Sequence, residues 1–432
     1  MESTISETSV KTRKRYYVIL LLFITVAINY IDRTNISIAA PGIIEEFDLS
    51  NSTMGWLFSA WGWMYALFQI PGGWLADIFK PRKLMAFLLL TWSLATVSIA
   101  FATTFAALLV LRVLVGLLEA PSYSINNRIV TSWFPESERA SAIGIYTSAQ
   151  FVGLSFLTPV LAWIFSTYGW QHVFLVTGGI GILWAVIWYF FYRDPMDHKG
   201  VSPSEIALIE TGGGLPRSTE TIGKKKKSFS YKDLLTVLTK KKLWGIYIGQ
   251  FGVGTTTIFF LTWFPTYLVE HRNMDFIEAG FAASVPYTFG FAGVLFSGFL
   301  SDYLVRRGFS LGLARKLPII TGMLLSTSIM LANYVDSSAA VIAIMALAFF
   351  ATGLSSISWS IVSSVAPERL IGMTGGVFNF VGASSGIIIP IAIGYLTEGG
   401  SFSAALTFIA TISLCGALSY IFLVGKLERL EG

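Results

Sequence analysis

Cysteine, histidine and charge are all scarce in this chain of 432 residues. The single cysteine, Cys415, rules out an intrachain disulfide. The three histidines, His172, His198 and His271, are scattered and lack the Cys/His spacing of a metal site. Only 13% of residues are charged, against roughly 25% in average soluble domains. A soluble chain of this length would be read as about three domains and would need a charged surface to stay dissolved. Disorder, a disulfide-stapled secreted scaffold and a nucleic-acid binder are excluded on the same numbers.

What is present is apolar: 54% hydrophobic residues, 15% aromatics and a mean hydropathy of +0.67. A helix needs about 20 mostly apolar residues to cross a bilayer. Twelve stretches qualify, near 16–40, 54–76, 84–102, 105–130, 140–165 and 173–192, then 243–268, 278–304, 317–335, 341–366, 371–397 and 403–424. The first could mimic a secretory signal, but Asp32 and Arg33 interrupt that pattern, so it is expected to be a retained helix. The expected fold is an all-α integral membrane protein. It divides into an N-terminal bundle of six helices (1–192), a polar linker (193–242) and a C-terminal bundle of six (243–432).

Charge sets the expected orientation. Of 30 Lys and Arg, all but Arg33, Arg112, Arg128 and Arg272 fall on one side of the spans, including the run Lys224–Lys227. By the positive-inside rule both termini are cytoplasmic, and the net charge of +5 is a topology signal rather than a nucleic-acid footprint.

The two bundles share an internal repeat. Gly73-Trp-Leu-Ala-Asp77 ends the second span and Gly298-Phe-Leu-Ser-Asp302 ends the eighth, each followed by basic residues. Pro135-Glu136 with Arg139 corresponds to Pro367-Glu368-Arg369, and Gly153 and Pro159 to Gly382 and Pro390, at offsets of 225 to 232. Six spans per repeat give both halves one orientation, related by an axis along the membrane normal, with the substrate site between them.

On these residues the chain resembles the major facilitator superfamily, although its usual basic residue and glycine after the Asp are here Ile78 and Lys80. Asn29-Tyr-Ile-Asp-Arg33, Gln69-Ile-Pro-Gly-Gly-Trp74, Glu119-Ala-Pro121, Asn127-Arg-Ile-Val-Thr-Ser-Trp-Phe-Pro135 and Gly375-Gly-Val-Phe-Asn379 resemble its anion:cation symporter branch. Within that branch the chain is most similar to bacterial D-galactonate/proton symporters. The resemblance implies an inner-membrane carrier that imports a sugar-acid anion with protons. Glucarate and hexuronate carriers are the near alternatives.

Charges inside the bilayer are costly and by default functional. Four stand out: Asp32 and Arg33 in the first span, Arg112 and Glu119 in the fourth. At 1.5 Å per residue, Arg112 and Asp32 lie ~10 and ~12 Å below the periplasmic surface and Glu119 ~21 Å. Asp32 and Arg112 can therefore pair, while Glu119 is further from the arginines along its helix. With both acids ionised the four sum to zero. Protonating one makes the site positive and attractive to a carboxylate. Glu119 is the expected resident proton carrier, and protonation of Asp32 would release Arg112 as a gate. The same four could instead form a structural ion network. The resemblance implies that acids at Asp32 and Glu119 couple protons and that Arg33 meets the substrate carboxylate.

Uncharged polar residues recur at helical spacing: Trp61, Tyr65 and Gln69, then Tyr146, Gln150 and Gly153, with Gln250, Ser356, Trp359 and Asn379 in the second half. Amides and hydroxyls suit a polyol, though from spacing alone each serves equally well as interhelical glue. The resemblance implies substrate contacts at Tyr30, Arg33, Tyr65, Gln150, Ser356, Trp359 and Asn379. Asp77, Arg82, Arg139, Asp302 and Arg369 lie at cytoplasmic helix ends and are expected to clamp the halves in one state. No nucleophile–base pair, metal cluster or Gly-x-x-x-x-Gly-Lys-Ser/Thr cradle is present, so neither an enzyme, a cofactor nor ATP drive is expected. The expected partners are the anion, protons and the lipid bilayer, with no nucleic acid, and the chain is expected to be a monomer. A membrane receptor for sugar acids could use the same pocket without moving substrate.

Overall fold

Backbone amides in hydrocarbon must bond within their own segment, so a chain this apolar is driven into helices. The computed structural model describes residues 12–217, 231–367 and 370–430, and among these every regular element is helical. The first half holds α1 (Lys14–Phe47), α2 (Asn51–Leu67), α3 (Gln69–Ile78), α4 (Pro81–Ile99), α5 (Phe105–Glu119), α6 (Ser122–Trp133), α7 (Glu136–Tyr168) and α8 (Trp170–Phe191). A polar connection carries α9 (Pro203–Thr211) and α10 (Tyr231–Thr239). The second half holds α11 (Lys241–Thr262), the single turn α12 (Phe264–Thr266), α13 (Phe276–Arg306), α14 (Leu311–Ser326), α15 (Ser338–Leu354), α16 (Ser358–Val365), α17 (Ile371–Leu396) and α18 (Ser403–Phe422).

Local sequence explains the boundaries. Ser50 caps α2 by accepting from the Thr53 N–H, Thr104 caps α5 from Ala107, and Gly169, at φ +91°, makes the turn between α7 and α8. Pro121 has no N–H to continue the ladder, and the fourth span breaks there into α5 and α6. The second span breaks at Phe68. Gly72 packs directly on the Pro121 ring, so the two breaks face each other.

Ten helices among the described residues are long and apolar enough to cross a membrane. The other two of the twelve expected spans have physical reasons to fall short. The second is split into pieces of 17 and 10 residues. The seventh, α11, carries Gln250, Thr255, Thr256 and Thr257 among its glycines. Both pack against α17.

The halves meet where α2 packs on α17 and α7 on α13. At the end remote from the polar connection, one buried apolar cluster draws on both halves, including Phe58, Phe165, Trp170, Trp263, Tyr287 and Phe402. There Phe58 meets the Trp263 ring edge-on at 5.0 Å, Phe165 meets Phe276 at 4.3 Å, and the Trp263 indole donates to the Pro390 carbonyl at 3.1 Å. At the connection end the core divides in two. Val18, Trp92, Trp133 and Trp188 belong to one cluster, and Ile246, Tyr247, Val365 and Tyr420 to the other. Among the described residues, the molecule is closed at one end and parted at the other.

The connection is tied to the start of α1. Glu205 on α9 accepts from the Thr12 hydroxyl at 2.5 Å, the N–H groups of Lys14 and Arg15 at 3.1 and 3.2 Å, and the Arg15 guanidinium at 3.2 Å. Burial alone would favour a neutral Glu205, but these donors hold its carboxyl below the ordinary range. Arg15 also reaches Glu138 at 2.8 Å.

The tightest approach in the first half is α5 on α2, where a Cβ at Gly116 would collide with the Trp61 carbonyl. Gly116→Ala is therefore expected to cost about 1–3 kcal/mol through overpacking. Gly144→Ala, at a helical position with open space, should leave stability unchanged or raise it slightly. Thermal unfolding of the detergent-purified variants checks the contrast.

Candidate functional site

All four charges singled out from the sequence are buried in the first half: Asp32, Arg33, Arg112 and Glu119 are 1%, 9%, 2% and 0% exposed. α1 brings Asp32 and Arg33, and α5 brings Arg112 and Glu119. The close contact at Gly116 lets the Trp61 side chain of α2 reach Glu119 one turn further along α5.

Their pairing differs from the expectation. Arg33 Nε donates to Glu119 Oε2 at 3.1 Å, and the Trp61 indole donates to the same oxygen at 2.9 Å. Distance along α5 separates Glu119 from Arg112, but Arg33 reaches it across the helix interface. Arg112 does not pair with the Asp32 carboxylate. It donates to the Asp32 backbone carbonyl at 3.2 Å, while Asp32 Oδ2 accepts from the Trp92 indole at 3.1 Å. The reason is direction: the Asp32 side chain points to α4.

Three aromatic rings surround the Arg33 guanidinium, at 4.7 Å for Tyr30, 4.5 Å for Trp61 and 4.7 Å for Tyr65. Each face offers negative quadrupole density, worth ~0.5–2 kcal/mol per contact. Trp61 and Tyr65 stack at 4.3 Å, which fixes both rings. Two polar atoms of the central pair keep no protein partner: Arg33 Nη2 and Glu119 Oε1. The buried amides of Asn29 and Asn126 are also unpartnered at both atoms.

The second half contributes neutral groups. Among the described residues, none of its Asp, Glu, Lys or Arg is buried. Ser358 bridges to Gln250 at 3.4 Å, Ser356 lies 3.3 Å from the Ser297 hydroxyl, and Trp359 meets Phe378 edge-on at 4.9 Å. Ser356, Trp359 and Asn379 are exposed, and Gln150 is half-buried. α17 links the two sets. Gly62 of α2 packs on the Gly386 backbone, and Gly382, one turn earlier, lies against the Gln250 side chain.

Of the expected gate residues, the two that are described, Arg82 and Arg139, make their contacts within the first half and the connection. Arg82 donates to the Tyr189 carbonyl at 2.9 Å and covers the Tyr189 ring, and Arg139 donates to the Gly213 carbonyl at 3.2 Å. The side chains of Asp77 and Asp302, Arg369, and Lys224–Lys227 all lie outside the described residues.

The sequence reading did not include Trp92, the Trp61–Glu119 bond, or the bond from Asn35 to Thr177 at 3.1 Å. A usable signal did exist for the tryptophans. A buried indole N–H usually takes an acceptor, and the sequence offers two intramembrane carboxylates.

Residues 22–390 match the model described as Major Facilitator Superfamily. The chain is 50% identical over 418 residues to a D-galactonate transporter of Escherichia coli O6:H1, covering 96% of this chain and 97% of that one. To a probable galactarate/D-glucarate transporter of Bacillus subtilis (strain 168) it is 42% identical over 426 residues, covering 97% and 94%. In structure it is similar to a D-xylose-proton symporter, with a TM-score of 0.73, 14% identity and 96% and 99% of the chains covered. An inward-facing bacterial homologue of the human lysosomal transporter Spinster gives 0.69, 22% identity, and 96% and 95%.

The buried pair makes a measurable prediction. Arg33→Gln strands a desolvated carboxylate and should cost about 3–5 kcal/mol. Arg33→Gln combined with Glu119→Gln should recover much of that loss. Thermal unfolding of the single and double variants tests it, and additive losses would show that the two side chains are not coupled.

Proposed function

The chain belongs to the Major Facilitator Superfamily, and on that premise we propose that it is a proton-coupled symporter importing a sugar-acid anion, D-galactonate first among them, by alternating access. The observation that carries this reading is the buried Arg33–Glu119 pair at 3.1 Å, with one guanidinium nitrogen and one carboxylate oxygen unpartnered. The 50% identity to a D-galactonate transporter supports the substrate class.

In this mechanism Glu119 and the substrate carboxylate compete for one cation. While Glu119 is ionised it neutralises Arg33 and the anion gains little. A proton on Glu119 frees the guanidinium, which then takes the incoming carboxylate through paired N–H donors. Asp32, whose carboxylate accepts from Trp92 while its backbone carbonyl accepts from Arg112, is the second proton-coupling group, with Arg112 as the charge partner that holds the α1 backbone beside it. Tyr30, Tyr65 and Gln150 from the first half and Gln250, Ser356, Trp359 and Asn379 from the second supply the contacts for the polyol chain.

A charge argument separates the candidate substrates. Arg33 is the one arginine of the cluster that both faces the aromatic cage and keeps an unpartnered terminal nitrogen, and the lining of the second half is neutral. One available cation suits a monocarboxylate such as galactonate better than the two carboxylates of galactarate or glucarate.

The moving units are the bundles 1–192 and 243–432 joined by the linker 193–242. The parted end carries the excess of Lys and Arg and faces the cytoplasm, as do both termini. Arg82, Arg139, Asp77, Asp302 and Arg369 engage when that end closes. The protein works in the inner membrane as a monomer, carries no cofactor and is not an enzyme.

Uptake into proteoliposomes under an inward proton gradient tests the proposal. The parent should accumulate D-galactonate, and galactarate should compete about tenfold less well, a difference of about 1.4 kcal/mol. Glu119→Gln should lose gradient-driven accumulation yet keep counterflow exchange. Accumulation by Glu119→Gln would overturn the role of Glu119. Saturable binding without uptake would make the protein a receptor instead.

A further inference from the structure

A cavity of about 530 Å³ lies away from the buried charge cluster. Lys14 and Tyr17 at the start of α1, Phe190 and Phe191 at the end of α8, and residues 193 and 197–200 of the connection line it, and it is open to the surface. Its chemistry has two parts. Phe190 and Phe191 are 62% and 58% exposed and end a helix apolar enough to cross the bilayer. They therefore face the edge of the hydrocarbon. Above them stand Lys14, Arg193 and Lys199.

The positive charge there is not cancelled within the cavity. Its one acid, Asp197, is paired with Lys80 at 3.3 Å. Arg193 is fixed in place by donating to the carbonyls of Tyr189 and Tyr192, at 3.0 and 2.8 Å, at the end of α8. The Lys14 stem crosses Gly200, where the missing side chain leaves it room. The Lys14 main chain is anchored by Glu205. His198 Nδ1 accepts from the Gly200 N–H at 3.1 Å, which leaves the imidazole proton on Nε2 as a donor. Burial and the nearby Lys14 and Arg193 push His198 below its ordinary value, against a backbone hydrogen bond that works the other way. The imidazole is thus neutral at pH 7, and the charge rests on the three long cations.

We propose that this cavity binds the phosphodiester headgroup of an anionic phospholipid, with Lys14, Lys199 and Arg193 around the phosphate and the acyl chains running along Phe190 and Phe191. Basic residues beside an apolar, membrane-facing rim are what such a headgroup requires. A neutral zwitterionic lipid would bring its own cation into a positive site. The lipid clasps the start of α1, the helix that carries Asp32 and Arg33, to the end of α8 and the connection. This inference stands on the membrane-spanning fold and is independent of which anion is carried.

Native mass spectrometry of the full-length protein in detergent, titrated with phosphatidylglycerol or with phosphatidylcholine of the same acyl chains, tests the site. Phosphatidylglycerol should bind at lower concentration than phosphatidylcholine. Lys14→Gln combined with Lys199→Gln should weaken it about 25-fold, roughly fivefold per lysine, and leave phosphatidylcholine binding unchanged. Equal binding of both lipids to the parent, or an unaltered preference in the variant, would overturn the proposal. Inorganic phosphate at millimolar concentration should displace little of the lipid. Full displacement would overturn the lipid assignment in favour of a plain anion site. Both lysines are exposed, and melting of the variant in phosphatidylcholine nanodiscs at the parent's temperature would show that its fold is intact. Lys199→Glu, which reverses one charge at the surface, should abolish the preference for phosphatidylglycerol even if the double variant melts early.

Discussion

A guanidinium that cannot lose its proton, held in hydrocarbon, needs a counter-charge and a fixed surround. Arg33 has both, in Glu119 and in the rings of Tyr30, Trp61 and Tyr65. Much of the first half is organised by that requirement. α5 must come close enough to α2 for Glu119 to meet Trp61, which the bare backbone of Gly116 permits. The fourth span then breaks at Pro121, just beyond the acid, where the break in the second span packs against it. One buried arginine on α1 thus bears on how closely α2 and α5 approach each other.

The second constraint is the uneven contact between the halves. Where α2 meets α17 and α7 meets α13, a shared aromatic core closes one end, while the other end keeps two cores. A carrier that alternates must never be open at both ends at once, because its substrate would then leak through. The two spans too short or too polar to look like ordinary membrane helices, α2 with α3 and α11, are the ones that flank α17. In α11 the polar groups have partners of their own: the Thr256 hydroxyl lies 3.3 and 3.1 Å from those of Ser326 and Ser413, and Gln250 accepts from Ser358.

Sequence reasoning and structure part company over direction rather than identity. The four intramembrane charges were legible because charge in hydrocarbon has few explanations. Their partners were not. Depth along a helix axis puts Asp32 beside Arg112, and the two residues are neighbours, but the contact runs to the Asp32 carbonyl and the carboxylate turns to Trp92. Rise per residue gives height in the membrane and says nothing about which way a side chain points. Glu119 was read as distant from the arginines because only Arg112 shares its helix. A tertiary contact supplied Arg33 instead.

By itself the sequence determined the membrane-spanning helical class and singled out the four charged residues that the structure buries, and from it two repeated halves around a polar connection are expected. Each of these follows from quantities summed or counted along the chain: hydropathy over a span, charge per loop, offsets between repeats. The tertiary structure alone decided that Arg33 rather than Arg112 holds an acid, that both carboxylates rest on indole donors, that one end is closed, and that three cations from α1 and the connection gather beside two exposed phenylalanines. Those features depend on how helices far apart in sequence turn toward one another. A one-dimensional pattern does not encode that rotation, because it is fixed only when side chains from all the helices pack together.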